Sequence, residues 1–283
     1  MRQVPELDPA ARPERSRGAH LNDVLDFARF KAEGRKISIV TAYDAWSARL
    51  VARSNVDVIL VGDSAAMVMH GHTTTVAATV ELMAMHTRAV AGSAPDKFLI
   101  ADMPFLSFRK GIPEAMTAVG TLMTSGAQAV KLEGVDGHQD VIAHIVGSGV
   151  PVMGHIGLIP QSVNGLGGFR VQGRSDAAAA RLLREAHTLE ALGCFSIVLE
   201  CVPADLAASI TSELTIPTIG IGAGAGTDGQ VLVLQDLWGV DSGHTPRFVR
   251  RYIDGECLLT DALNRYASDV KETRFPSLEE SYS

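Results

Sequence analysis

Asp63, Asp102, Lys131, Glu133, His155 and Glu200 each stand at or just past the end of a short apolar run. The runs read Val58-Ile-Leu-Val-Gly-Asp63-Ser64, Phe98-Leu-Ile-Ala-Asp102, Ala129-Val-Lys131-Leu-Glu133, Pro151-Val-Met-Gly-His155 and Ile197-Val-Leu-Glu200. Carboxylates brought together without a cation repel one another and hold their protons more tightly. A hard divalent ion such as Mg²⁺ removes that penalty and takes carboxylate oxygens and retained waters as ligands. Asp63, Asp102 and Glu133 are therefore the candidate metal set. For each acid taken singly the alternative is a helix cap or an arginine partner.

Lys131 precedes Glu133 by two residues, so on a strand both side chains point to one face. A lysine inside an apolar strand is costly unless its ammonium meets an anion. Contact with a substrate carboxylate or carbonyl oxygen meets that need, as does Schiff-base chemistry; an edge-strand lysine reaching solvent is the alternative. Glu200 stands apart in sequence from the other acids and is the candidate general base. An acid set among apolar residues holds a proton readily, a poise that suits removal of a carbon-bound hydrogen. His155 could polarise a substrate group, or be a satisfied core histidine. His70-Gly-His72 offers two imidazoles without a clear third ligand, a weak transition-metal signal.

Apolar runs of this length, rich in Val and Ile and bounded by Gly or Pro, suit strands buried on both faces. Chemistry at the ends of five of them points to one shared mouth. A closed (β/α)₈ barrel is the expected fold, with a doubly wound open sheet as its rival. The strands begin with Ile37 to Ala42 and end with Val231 to Leu234. Helices are predicted over 21–34, 45–54, 80–90, 113–125, 137–148, 177–191 and 204–213, and in a tail over 247–253 and 258–267. Gly157 to Gly173 reads as a long functional loop. Gly224-Ala-Gly226-Thr-Asp-Gly229 fits the GxGxxG pattern, but it runs into a strand rather than opening a helix. Its glycines read as places where backbone amides approach a ligand closely.

A chain of 283 residues accommodates one such barrel of about 250 residues with little left over. Residues 1–20 carry too few apolar side chains to pack and read as a disordered extension, without the apolar core of a secretory signal. Residues 21–270 read as a single catalytic barrel and 271–283 as a tail. The net charge of −7 argues against nucleic acid and anionic membranes as partners. No apolar stretch is long enough to span a bilayer. Cys194, Cys201 and Cys257 form no CxxC pair, so buried free thiols in a reducing cytoplasm are expected. Arg247, Arg250 and Arg251 read as a solvated helix face.

Taken together, the motifs resemble those of the ketopantoate hydroxymethyltransferase family. They are Thr41-Ala-Tyr-Asp44, Val61-Gly-Asp-Ser64, Gly71-His72, Ala101-Asp-Met-Pro-Phe105, Val130-Lys-Leu-Glu-Gly134, Gly154-His-Ile-Gly-Leu158, Pro160-Gln-Ser-Val-Asn164, Val171-Gln-Gly173, Leu199-Glu-Cys-Val-Pro203 and Ile219-Gly-Ile-Gly-Ala-Gly224. The resemblance implies a barrel of the phosphoenolpyruvate mutase/isocitrate lyase type, assembled as a homodecamer. It implies Mg²⁺ held by Asp63 and Asp102, with Glu133 in the metal's shell. It further implies 3-methyl-2-oxobutanoate bound by Asp63, Ser64, Asp102 and Lys131, Glu200 as proton acceptor, and 5,10-methylenetetrahydrofolate as one-carbon donor. One departure stands out: Thr74-Thr-Val-Ala-Ala-Thr79 replaces the family's usual Thr-Thr-Leu-Pro-Val-Thr, which leaves that loop's shape open. A related Mg²⁺-dependent lyase or mutase acting on a 2-oxo acid is the alternative activity. The Lys-Lys-Cys-Gly-type lid motif of those enzymes is missing from the chain.

Overall fold

A computed structural model describes residues 21–162, 170–240 and 245–282. The expected extension over 1–20 lies outside the described residues, as does the middle of the long loop after His155. Eight strands form one closed sheet: β1 Ile37–Thr41, β2 Val58–Val61, β3 Phe98–Asp102, β4 Ala129–Lys131, β5 Val152–Gly157, β6 Ser196–Glu200, β7 Thr218–Ile221 and β8 Gly229–Leu232. Every neighbouring pair is parallel, and β1 closes the ring on β8 from Ile37↔Gly229 to Val40↔Leu232. Closure rules out the open doubly wound sheet.

The helices are α1 Val24–Ala32, α2 Ala45–Arg53, α3 Ala65–Val68, α4 Val80–Ala91, α5 Ile112–Thr124, α6 Gln139–Gly147, α7 Asp176–Ala191, α8 Ala204–Glu213, α9 Leu234–Trp238 and α10 Gly255–Lys271. Their starts follow local chemistry. Asp23, Asp44, Thr79 and Ser175 each accept a backbone N–H of the first turn, which satisfies donors the helix cannot. The segment Thr74 to Thr79 takes the form of a 3₁₀ turn over Thr75–Ala77 leading into α4.

Two expectations need correction. The last strand begins at Gly229, not Val231, because it pairs with Ile37; a Cβ at Gly229 would stand 2.5 Å from the Ile37 carbonyl oxygen, so only glycine fits. Residues 247–253 are not helical. Val249 N–H turns back to Pro246 O, and Tyr252 N–H is taken by Leu237 O, so no helical ladder runs through them. Asp254 then caps α10 by accepting Cys257 N–H. The three arginines therefore lie on irregular backbone rather than on a helix face.

The core is double. Inside the ring, Ile39, Leu60, Ile100, Met153, Val198, Ile219 and Val231 pack together, while alternate strand residues such as Ile59, Leu99, Val130 and Ile197 pack outward under the helices. Helix α1 belongs to the inner cluster. Phe27 and Phe30 are fully buried, and the Phe27 ring meets Phe98 and Phe195 edge-on at 5.6 and 4.9 Å. Phe98 opens β3, so α1 plugs the amino-terminal end of the barrel. Lys31 fastens it, donating to Thr211 O and Ile216 O and pairing with Asp228 at 2.9 Å. Phe27→Ala should lower unfolding free energy in urea by about 3–5 kcal/mol. Leu25→Ala, at a side chain 76% exposed, should change it little; equal effects would contradict the plug.

Cys194 is buried as expected, Cys201 is half-buried, and Cys257 is exposed on α10. That helix packs differently from the rest: Gly255 is its one buried residue, while Leu258, Leu259, Leu263, Tyr266 and Val270 are exposed.

Candidate active site

Because the strands are parallel, their carboxyl ends open at one mouth, and the plugged end lies opposite. Asp102 and Lys131 are register partners on β3 and β4, which brings their side chains to one face. Lys131 Nζ stands 3.1 Å from Asp102 Oδ1 and 3.2 Å from His155 Nδ1. His155 in turn lies between two acids, with Nδ1 3.4 Å from Glu133 Oε1 and Nε2 3.2 Å from Glu200 Oε2. Asp102 Oδ2 accepts the backbone N–H of Asp63 at 3.0 Å. The predicted residues thus form one connected cluster. Lys131 is buried in a closed sheet, which excludes the edge-strand reading.

Charge is the cluster's dominant feature. Asp63, Asp102, Lys131, Glu133 and His155 are all at least 95% buried, so they interact without much solvent screening. Burial, then Glu133 and Asp102, hold the Asp63 carboxyl well above the usual carboxylate range. Burial also raises Asp102, although Lys131 opposes it. Burial pushes the Lys131 ammonium down, but Asp102, Glu133 and Asp63 outweigh it and make the lysine a fixed cation. Burial and Lys131 push the His155 imidazole down, yet Glu133 and Glu200 carry it up to about 9. The ring's hydrogen-bond contact at Nδ1 is with Lys131 Nζ; its approaches to Glu133 and Glu200 have the distances of ion pairs, and Nε2 makes no hydrogen bond. Glu133 ends below its ordinary range because His155 and Lys131 outweigh its burial. Glu200 is the most open of the set, its side chain 15% exposed against 3% for His155.

The acids fit a divalent cation. Asp102 Oδ1 is buried and accepts no hydrogen bond, despite the nearby ammonium. A buried group with excess carboxylates and raised proton affinity is what a positive ion relieves. Among the described residues no three His, Cys, Asp or Glu side chains close on one metal-sized point. The fit is to an ion with one or two carboxylate ligands and waters, as Mg²⁺ prefers, rather than to an all-protein cage.

Two neighbours carried no sign of a role in the sequence. Tyr43, fully buried at the end of β1, shares a 2.7 Å hydrogen bond with Ser64 Oγ. Gln161, in the 3₁₀ turn Pro160–Ser162 after β5, donates its side-chain amide to Asp63 Oδ2 and Met103 O and its backbone N–H to Glu133 Oε2. Both sit in motifs quoted above, yet an uncharged side chain beyond a strand end gives no signal of what it faces. The histidine pair 70/72 does not act as a unit: His70 Nε2 meets His86 Nε2 at 2.9 Å, and His86 Nδ1 meets Tyr43 O. The glycines after β7 also need correction. A Cβ at Gly224 would lie 2.5 Å from Ala204 Cβ and one at Gly226 2.8 Å from Ala208 Cβ, so they admit α8, not a ligand.

The chain is similar to known proteins in both sequence and fold. The family model for ketopantoate hydroxymethyltransferase matches residues 22–278. A 3-methyl-2-oxobutanoate hydroxymethyltransferase of Bdellovibrio bacteriovorus is 55% identical over 263 residues, 93% of this chain and all of the relative's length. One from Coxiella burnetii is 54% identical over 255 residues, 90% of this chain and 96% of its own. Solved structures of phosphonopyruvate hydrolase with oxalate and Mg²⁺, and of 2,3-dimethylmalate lyase, a PEP mutase/isocitrate lyase superfamily member, superpose with TM-scores of 0.58 and 0.55. They are 12% and 15% identical and cover 92% and 93% of this chain, with 93% and 92% of their own chains matched, which shows a shared fold. With the matched relatives above half identity and the motifs in place, the chain belongs to the ketopantoate hydroxymethyltransferase family of enzymes.

Proposed function

We propose that the protein transfers a hydroxymethyl group from 5,10-methylenetetrahydrofolate to 3-methyl-2-oxobutanoate, giving 2-dehydropantoate (ketopantoate) on the route to pantothenate and coenzyme A. The observation that carries this reading is the buried Asp63–Asp102–Lys131–Glu133–His155 cluster with Glu200 at its open side. Asp63 and Asp102 would hold Mg²⁺, and Glu133, already engaged by His155 and Gln161, would reach it through water. When bound, Mg²⁺ supplies positive charge beside the 2-oxo acid, which acidifies the C3 hydrogen and favours the enolate.

The chain's own groups do the rest. Ser64, Asp63, Asp102 and Lys131 line the place for the 2-oxo acid, and the Lys131 ammonium faces the charge that develops on its 2-oxo oxygen. Glu200 takes the C3 proton; His155, charged and 3.2 Å away, orients that carboxylate. The C3 carbanion forms the new C–C bond to the folate methylene carbon; both bonds from that carbon to folate nitrogens break, water supplies the hydroxyl, and the C3 proton and the remaining water proton end on the two nitrogens of the departing tetrahydrofolate. Tyr43 holds the Ser64 hydroxyl in place. The test omits folate: C3 hydrogen exchange of 3-methyl-2-oxobutanoate in deuterated water, followed by NMR. Exchange that requires both enzyme and Mg²⁺ supports the reading; none, with substrate shown to be bound, would oppose it.

The relatives' names, not the shared barrel, favour this activity over a 2-oxo acid lyase or mutase. Residues 21–270 are read as the catalytic unit, with residues 271–283 as a tail, working in the cytoplasm without nucleic acid or membrane partners. Among the described residues no helix is long and apolar enough to cross a membrane. A homodecamer is the proposed assembly. The exposed apolar side chains of α10 support self-association, because an isolated helix of that length is marginal without a packing partner. Sedimentation should show a ring-based oligomer; a stable monomer of 30.0 kDa at micromolar concentration would contradict it.

A further inference from the structure

Gln161 makes a pattern of contacts that loop anchoring alone does not require. Its side chain is 6% exposed, and Nε2 donates to Asp63 Oδ2 at 2.8 Å and to Met103 O at 3.0 Å. Both partners are acceptors, so the amide's orientation is determined: the nitrogen, with its two N–H groups, must face them. Four positions past the end of β5, the same residue donates its backbone N–H to Glu133 Oε2 at 3.1 Å. One uncharged residue therefore grips two of the buried acids.

We infer that Gln161 is a positioning residue for the divalent cation: it commits one oxygen of Asp63 to the protein and leaves Oδ1 to face the ion. The inference rests on the metal reading of the site given above. At Asp102 the Asp63 backbone N–H takes Oδ2, while Oδ1 lies 3.1 Å from the Lys131 ammonium without a hydrogen bond. One Asp63 oxygen turned to the ion suits a small cation that keeps several waters rather than one chelated by both oxygens of a carboxylate. The choice of glutamine follows from charge. A lysine or arginine at this point would fix Asp63 equally well but would neutralise it and repel a cation. A glutamate would add a further buried acid and supply no donor. The amide orients the carboxylate and leaves its charge for the metal. The backbone bond to Glu133 extends the control to the acid that reaches the ion through water.

Outer-shell partners of this kind typically change metal affinity by about 10- to 100-fold. Mg²⁺ and Mn²⁺ binding to the whole protein should be measured calorimetrically, without substrates, for wild type, Gln161→Met, Gln161→Ala and Asp63→Ala. Gln161→Met nearly keeps the volume of the side chain and retains the backbone bond, so it guards against a variant that fails to fold. The expected result is folded Gln161 variants with metal Kd raised by about 10- to 100-fold. Their activity should be restored in large part by high Mg²⁺, so the metal requirement shifts more than kcat. A residue that only anchors its loop would lower thermal stability and leave metal Kd where it was. Wild-type Kd in folded Gln161→Met and Gln161→Ala, with binding lost in Asp63→Ala, would overturn the inference and leave the metal reading intact. Wild-type Kd in Asp63→Ala would overturn both.

Discussion

Asp63→Ala and Asp102→Ala will each abolish metal-dependent turnover in a protein that still folds. Both carboxylates end or follow barrel strands in a site that carries more buried acids than cations, so losing one acid relieves repulsion within the apoprotein. The same deletion removes a proposed ligand from an ion with only two protein carboxylates at most. Asp102→Ala also leaves the Lys131 ammonium with one acid fewer to hold it. Turnover against Mg²⁺ concentration, with circular dichroism and a thermal melt for fold, measures both halves of the expectation. Full activity in either variant, with metal still bound, would contradict the assignment. Glu133→Gln should do less damage, because its groups meet His155 and the Gln161 backbone, and outer-shell losses run to about 10- to 100-fold.

Glu200→Gln should keep shape and substrate binding but lose proton removal. General-base contributions are commonly about 10²- to 10⁴-fold, so turnover should fall by at least about 10². Glu200 is suited to the role by position: it is the last residue of β6, pairs in register with Gly157, and keeps an open side towards the mouth. Exchange of the C3 hydrogen with deuterated water isolates the step, since folate is absent. Exchange at the wild-type rate in the variant, with Mg²⁺ and 3-methyl-2-oxobutanoate bound as before, would move the base elsewhere, and His155 would be the next residue to replace.

The strand ends made most of this site legible. A short Val- and Ile-rich run that stops at an acid leaves little freedom: the run must be buried, so its polar end must meet the mouth. Asp63, Asp102, Lys131, Glu133, His155 and Glu200 were all readable on that basis, and closure of the sheet brought them together. Periodicity could not reveal closure itself, because open and closed parallel sheets bury their strands alike. What lay beyond the strand ends was less readable. Gln161 depends on how a loop folds back over β2 and β3, which its own neighbours in sequence do not encode. Gly224 and Gly226 looked like a ligand loop because glycine permits any close approach, and here what approaches is Ala204 and Ala208 of α8. Residues 247–253 had helical spacing, but Pro246 and a tertiary bond from Tyr252 to Leu237 set their backbone instead.

Mg²⁺-dependent one-carbon transfer onto a 2-oxo acid can be observed whole by incubating the purified protein with 3-methyl-2-oxobutanoate, 5,10-methylenetetrahydrofolate and Mg²⁺ and identifying the products by NMR and mass spectrometry. Ketopantoate and tetrahydrofolate should appear together in equal amounts, and removing Mg²⁺ with a chelator should stop both. Cleavage or rearrangement of a 2-oxo acid without folate, or folate left unconsumed by active, metal-loaded protein, would contradict the account.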